Sequence, residues 1–377
     1  MKAKNKVIVC VSNDLVTDNR VAKTCSILQE LDYKVLLIGR KKKNSPKMNA
    51  RTYPAKRLKL LFEQGPLFYF VLNLRLFFFL LFSKTNLIFS NDLDTLPACY
   101  LAFKLKRKTK IIYDTHELFT EVSELIERPI KRKIWLKIEE SIFPKLRTII
   151  TVNDSIAEVY SNKYQVPVHV VRNIPPKYEM QNSNNREAMG IRKNEFLLII
   201  QGSGLNKDRG IEESILAMKY CRGCRLVIVG DGDIIPEAKD LVKENQLSEH
   251  VQFLSRRPYM ELMKITEMAD LGLLMDKAVN KNHELALPNK LFDYMHANTP
   301  VLSNQLKEIE KFICANNIGV VINESNPKGI AKAIMDLKND HQLLEGLKEN
   351  CRKTALTEHW GNEKIKLINA INQQNPI

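Results

Sequence analysis

Two hydrophobic periods take turns along the chain. Short continuous runs of Val, Ile and Leu alternate with stretches whose apolar residues recur every three to four positions. In the first half, KVIVCVS (Lys6–Ser12), YKVLLIG (Tyr33–Gly39), NLIFSND (Asn86–Asp92), KIIYDTHE (Lys110–Glu117), RTIITVN (Arg147–Asn153) and VHVV (Val168–Val171) read as strands. A helix is expected over 18–31, where Val21, Ala22, Cys25 and Leu28 share one face. Further helical segments follow Asp94 and run up to Phe143. A Pro pair and an Asn-rich polar run, Arg172–Gly190, break the alternation and mark a linker. The pattern then restarts with FLLIIQG (Phe196–Gly202), RLVIVGDG (Arg225–Gly232), HVQFL (His250–Leu254), LGLLM (Leu271–Met275), TPVLS (Thr299–Ser303) and GVVIN (Gly319–Asn323). Unbroken apolar strands separated by helices predict parallel sheets covered on both faces. The fold class is therefore α/β, with two doubly wound Rossmann-like domains facing a cleft. The boundaries read as 1–175, 176–355 and a C-terminal helical segment, 356–377, that packs back across the domains.

Length and composition fit this picture. The chain has 377 residues, 44% hydrophobic and 27% charged, as expected of a two-domain globular protein. After the basic start, the first apolar run is too short for a signal h-region. Seven cysteines are scattered in odd number, which fits a reducing compartment better than a disulfide framework. Cys221 and Cys224 form a CxxC, but no second CxxC or His pair follows at metal spacing. The net charge of +15 is one-sided. Residues 1–175 hold 31 Lys and Arg against 16 Asp and Glu, and the remainder is balanced. Such a domain points to a polyanion or an anionic membrane surface.

PLFYFVLNLRLFFFLLF (Pro66–Phe82) is strongly apolar but 17 residues long, with Arg75 in its middle. A spanning helix needs about 20 apolar residues, and a mid-bilayer Arg is costly. The run reads as a buried or interfacial helix. Basic clusters lie around it in sequence at Arg40–Lys43, Lys56–Lys59, Lys104–Lys110 and Arg128–Lys137. A protein peripheral at the inner face of the cell membrane and otherwise cytoplasmic fits these features, as does a core helix beside a solvated basic face.

In open α/β sheets ligands sit beyond the carboxyl ends of strands. Two such places stand out. QGSGLNKDRG (Gln201–Gly210) follows a strand and opens a helix, with Gly202 for close approach and Lys207 and Arg209 for charge. HELALPNKLFDY (His283–Tyr294) surrounds a helix expected to start with Pro288 in its first turn, with Asn289 and Lys290 beside it. Glu284 and Asp293 flank that start. Helix-end dipoles and cations suit a diphosphate, and acids suit sugar hydroxyls, so a nucleoside diphosphate sugar fits. There is no GxxxxGK[ST] loop and no dinucleotide fingerprint, which sets aside P-loop nucleotidases and NAD-dependent dehydrogenases. Asp92-Leu93-Asp94 spells DxD, but Asp at a strand end entering a helix is a natural N-cap, so no metal is assigned there. Asp231 and Asp233 read as turn residues, and His169, His250, His296 and His359 as structural.

The ordered set of segments resembles retaining glycosyltransferases of family 4, with the GT-B fold. IIQGSGLNKDRGIEESILAM, CRLVIVGDGDIIPEAKDL, HVQFLSRRPYMELMKITEMADLGLLM and LPNKLFDYMHANTPVL carry the resemblance in the second half. VTDNRVAKTCSILQELDYKVLLIG, IFSNDLDTLPACYLA and IIYDTHELF carry it in the first. The resemblance implies an acceptor-binding first domain and a nucleotide-sugar-binding second domain. It implies transfer (EC 2.4) from a UDP- or GDP-sugar to an acceptor hydroxyl, with the departing diphosphate assisting deprotonation and no metal or other cofactor. A lipid-linked saccharide or other glycan acceptor, as in surface polysaccharide biosynthesis, fits the basic first domain. By position, Arg209 matches the donor-diphosphate lysine, Asp293 the second acid of the Glu-x7-Glu motif on the ribose, and His116 the histidine near the donor sugar. Gly230 to Gly232 match the turn beneath the nucleotide.

Three positions depart from the pattern. The first acid of the motif falls at Leu285, so Glu284, His283 and Asn282 all remain candidates for the sugar hydroxyls. Ser203 replaces a frequent arginine, a charge that Lys290 or Lys207 can supply. The first loop, SNDLVTDNR, has no glycine. Two other readings are a nonhydrolysing nucleotide-sugar epimerase of similar fold and a nucleic-acid-binding protein. The first needs acid/base pairs, and the second a basic-aromatic motif that is not found.

Overall fold

The computed structural model describes residues 5–16, 18–48, 50–181 and 186–373. Residues 1–4 of the basic start, Thr17 of the first loop, residues 182–185 of the linker and the last four residues of the 356–377 segment lie outside that set. The chain forms two compact units. One runs to Asn173 and takes in the segment from Glu363 onward; the other is Ile174–Asn362.

The first unit holds strands β1 (Lys6–Cys10), β2 (Lys34–Lys41), β3 (Ala55–Lys59), β4 (Leu87–Asn91), β5 (Lys110–Asp114), β6 (Ile149–Thr151) and β7 (Val168–Val170). They pair in parallel in the order β3-β2-β1-β4-β5-β6-β7. β3 was not expected as a strand. Its sequence, AKRLK, reads as a basic cluster because only Leu58 is buried. Pairing with β2 supplies the backbone bonds, and lysines on a sheet edge discourage further pairing. The apolar helix spans Gly65–Phe82, as the sequence suggested. The closing helix, Trp360–Asn372, begins in the second unit and ends in the first. In the first unit its buried Glu363 accepts a bond from the Arg172 N–H at 2.7 Å, and Lys364 pairs with Glu30.

The second unit holds β8 (Phe196–Gly202), β9 (Cys224–Gly230), β10 (Val251–Leu254), β11 (Leu271–Leu274), β12 (Val301–Asn304) and β13 (Gly319–Ile322), ordered β10-β9-β8-β11-β12-β13 and all parallel. Alternate residues feed two cores. Leu198, Ile200, Leu226 and Ile228 pack on one face, and Leu197, Ile199, Val227 and Val229 on the other. That is the two-sided burial of a doubly wound sheet. The order of the strands reverses between β8 and β11, where the loops that follow these two strands diverge. Such switch points are where open α/β sheets leave a crevice.

Backbone approaches closely there. Gly210 has φ +66°, and a Cβ on it would lie 2.2 Å from the Met275 carbonyl oxygen. Only glycine fits both the left-handed conformation and the contact. Gly210→Ala should therefore destabilise this unit by about 2 kcal/mol. Gly204→Ala, whose added methyl has only Asn206 within reach at 4.0 Å, should be near neutral. Denaturant unfolding of both variants checks the pair.

Candidate active site

At the switch point of the second unit one buried acid holds two cations. Asp276 follows β11 by two residues and is 3% exposed. Its Oδ2 pairs with Arg209 Nη1 at 3.1 Å and its Oδ1 with Lys290 Nζ at 2.8 Å. Arg209 comes from the loop after β8, and Lys290 from the first turn of the helix Asn289–His296. Backbone bonds add to this junction. The Lys277 N–H donates to the Asp208 carbonyl at 2.8 Å, and Asn304 Nδ2 to the Asp276 carbonyl. Burial alone would raise the Asp276 carboxyl. The charges of Lys290 and Arg209 outweigh burial and hold it below its ordinary value.

The helix carrying Lys290 is fixed by its apolar face. Leu291, Phe292, Tyr294 and Met295 are fully buried. The Tyr294 ring lies where a Cβ on Gly272 would be, 2.6 Å from the nearest ring atom, so the glycine makes room for it. Its hydroxyl meets the Gln201 N–H and the Ile199 carbonyl at 3.3 Å. Pro288 is the N-cap with extended backbone, φ −73° and ψ 144°, not a first-turn residue as its type suggested. A fixed φ near −65° suits both positions, so residue type alone did not separate them.

Asp293 lies one turn further on. Gln201 Nε2 donates to its Oδ2 at 3.2 Å and the Tyr259 hydroxyl to its Oδ1 at 3.1 Å, while Thr266 Oγ1 donates to Gln201 Oε1 at 2.6 Å. The acid assigned to a ribose is thus held by two protein donors. Glu284 ends a short helix, Lys281–Glu284, and is exposed. Asn282 on the same turn is buried. Burial, and then the Arg209 charge, pull the His283 imidazole below its ordinary value. Asn289 and Lys207 are exposed. Gly202 and Gly230 touch each other: a Cβ on Gly230 would lie 1.8 Å from the Gly202 carbonyl oxygen. Their bareness serves strand-end packing first.

His116 lies in the first unit. Its N–H donates to Asp92 Oδ1 at 3.2 Å, and its Nδ1 is 3.5 Å from Asp92 Oδ2. Its Nε2 is buried without a hydrogen-bond partner, 4.0 Å from Asp114. Arg20 clamps Asp114 with two bonds, at 3.0 and 2.7 Å. Burial pulls the imidazole down, but the Asp92 and Asp114 carboxylates raise it on balance. The DxD reading needs correction. Asp94 is not a helix cap, since Thr95 occupies the N-cap, and Asp92 has φ +59°. Asp94 is buried, and burial and then Asp92 push its carboxyl up to about 7.

The sequence reading missed Asp276, Asn304, Gln201, Tyr259 and Arg20. Asp276 had a signal: it is the polar residue just beyond the LGLLM run. Tyr259 and Arg20 had none, because only the folded chain brings them to their partners.

Two family profiles match successive parts of the chain. "Glycosyltransferase Family 4" covers residues 19–176 and "Glycosyl transferases group 1" covers residues 181–354. The chain belongs to glycosyltransferase family 4. The two Rossmann-like sheets of this glycosyltransferase are those of the GT-B fold. It is 24% identical over 235 residues to the uncharacterized glycosyltransferase MJ1607 of Methanocaldococcus jannaschii, a match over 59% of this chain and 58% of that relative's own length. Sucrose-phosphate synthase (tll1590) from Thermosynechococcus elongatus is similar in structure, with a TM-score of 0.79 at 15% identity over 98% of this chain and 99% of that one. Anabaena Alr3699/HepE, solved in complex with UDP-glucose, has a TM-score of 0.76 at 14% identity over 98% of this chain and 99% of that one.

Two consequences of this charge arrangement can be measured. Asp276→Asn leaves two cations without their anion and should destabilise the second unit by about 3 kcal/mol. The figure is at the low end for a broken buried pair because Arg209 is 28% exposed. The Asp276 carboxyl is depressed in the folded state. Its contribution is therefore present above about pH 4 and lost as pH falls through the lower folded value. Unfolding midpoints against pH should show this loss in the wild type and not in Asp276→Asn. His116 has the opposite sign. Its raised value gives stability that is full below about pH 6.5 and lost as pH rises through the folded value. A His116→Asn variant should lose most stability, relative to wild type, at the acid end of a pH 5 to 8 series of thermal melts.

Proposed function

We propose that this glycosyltransferase takes a nucleoside diphosphate sugar as donor and transfers the sugar with retention to an acceptor hydroxyl. The observation that carries this reading is the pair of cations, Arg209 and Lys290, held by one buried acid at the switch point of the second unit. Charge departing on a diphosphate is the kind of charge such a pair stabilises. Because Asp276 fixes both cations beforehand, little reorganisation is needed when that charge develops. The start of the Asn289–His296 helix adds its partial positive charge on the same side. Asp293, oriented by Gln201 and Tyr259, is the acceptor for a ribose hydroxyl, and His283, Asn282 and Glu284 are the groups for the sugar. Alr3699/HepE, which shares this fold, was solved with UDP-glucose.

In this reading no protein nucleophile or metal is required. The acceptor hydroxyl attacks from the face that the diphosphate leaves, and a diphosphate oxygen takes its proton. Arg209 and Lys290 stabilise the negative charge. The basic first unit suits a lipid-linked saccharide acceptor at the inner face of a membrane, as in polysaccharide assembly.

A thermal-shift screen with UDP-, GDP- and other nucleotide sugars tests the donor class. Binding adds about 2.7 kcal/mol at one hundred times Kd, so the true donor should separate clearly from the rest. With that donor, Arg209→Ala and Lys290→Ala should each lower turnover about 100-fold with the fold intact by circular dichroism. Wild-type turnover in both variants would remove the assignment.

A further inference from the structure

We infer that the first unit docks on an anionic lipid surface by laying the helix Gly65–Phe82 flat into the headgroup region, through a face that the protein itself leaves uncovered. The helix is apolar on its inward and outward faces, with Asn73 and Arg75 as its strongly polar side chains; its mean hydropathy is 1.8, yet only 22% of it is buried. Phe68, Leu72, Leu76 and Leu80 form one stripe, each at most 3% exposed, packed into the unit. Leu67, Phe70, Leu74, Phe78 and Phe82 form the opposite stripe, 44–80% exposed. Helical spacing places the two stripes on opposite sides. A surface helix of a soluble protein normally turns a polar face outward. Here the outward face is as apolar as the inward one. The partner helix Leu96–Leu105 adds Leu101 and Leu105, 53% and 63% exposed.

Spanning is excluded by the inward stripe, which is part of the unit's core. The uncovered stripe runs the full length of the helix, so a plane that touches it holds the helix parallel to itself. That is the geometry of an interfacial helix, buried about 5–10 Å deep in the headgroup and acyl boundary.

Charge identifies the occupant. Lys106 Nζ donates to the Leu80 carbonyl at 3.0 Å and to Leu81 at 3.3 Å, which fastens the run Lys104–Lys108 to the C-terminal end of the apolar helix. Lys104, Arg107 and Lys108 are exposed there, with Lys84 two residues beyond the helix. Along the helix flank, Lys56 lies over the Phe79 ring at 4.5 Å and Arg75 bonds the Lys59 carbonyl, which brings the basic edge strand β3 alongside. An apolar stripe with a cationic rim complements an anionic leaflet, where each nearby Lys or Arg adds about 1 kcal/mol of attraction. A second copy of the chain fits less well. A two-fold interface through this stripe would set one cationic rim near another. The inference extends the proposed membrane-proximal acceptor, but its test uses neither donor nor acceptor, so the two can fail separately.

The test is flotation of the full chain with phosphatidylcholine vesicles, with and without phosphatidylglycerol, at low and high salt. Wild type should float with the anionic vesicles and keep part of its binding when salt screens the charges, because the stripe is inserted. Phe70→Ser/Phe78→Ser, at exposed positions, should weaken partitioning about tenfold or more. Lys104→Glu/Arg107→Glu/Lys108→Glu should weaken it and flatten its salt dependence. A Phe78→Trp variant should show a blue shift of its added indole emission on the same vesicles, a readout that does not rely on a disruptive change. Failure of wild type to float, unchanged binding of the double serine variant, or self-association through the stripe without vesicle binding would each overturn the inference. Melting of each variant by circular dichroism establishes that the comparison is between folded proteins.

Discussion

The second unit is organised around a single carboxylate. Asp276 lies past the end of β11, out of water, and two cations from separate segments converge on it. A buried charge without partners is expensive, so the loop after β8 and the helix start at Asn289 must both come to it. The Lys277–Asp208 backbone bond and the bare Gly210 against Met275 are the backbone counterparts of the same constraint. The crevice at the switch point is therefore a built junction with fixed charges, and the sequence distance between Arg209 and Lys290 is closed by one acid.

The accuracy of that junction is inherited from the apolar core. Lys290 and Asp293 point where they do because Leu291, Phe292, Tyr294 and Met295 are locked beneath them. Tyr294 contributes more than area. Its ring fills the space over Gly272, and its hydroxyl bonds the backbone of both β8 and β11, the two strands that flank the crevice. Core packing and site geometry are thus one set of contacts on the two sides of one short helix. Gln201 links them again: it is the second-last residue of β8, bonds Thr266 in the interior, and orients Asp293.

The α/β alternation was legible because short continuous Val and Ile runs, bounded by polar residues and separated by helical patterns, fit strands buried on both faces. β3 was illegible because an edge strand rich in lysine carries no such run; its identity comes from its pairing with β2. Lys290 and Arg209 could be named from the sequence because each is a cation beside a helix start. Asp276 showed only as a polar residue just beyond a strand, because its significance is a matter of which cations meet it. The same holds for His116, whose type was readable but whose charge balance depends on Asp92, brought from the end of β4, as well as on Asp114 two residues before it. Asp94 shows the opposite error. Its type suggested a helix cap, and the fold instead buries it one residue before the cap.

An acid at the centre of a site proposed for an anionic leaving group looks contradictory until the charges are added. Arg209, Lys290 and Asp276 together leave one positive charge. Without Asp276 the two cations would repel each other, and side chains so long would spread into solvent. With it they are held in place before any ligand arrives, and much of their field is already answered. Under the proposed reading this moderates ground-state attraction for the intact diphosphate ester. As the bond to the sugar breaks, charge grows on the departing diphosphate, and fixed cations respond to it without moving. Interactions that strengthen only as charge develops lower the barrier, whereas uniform binding does not. Under that reading the buried acid turns two flexible cations into a fixed electrostatic frame, and its cost in net charge makes the remaining charge selective for the transition state.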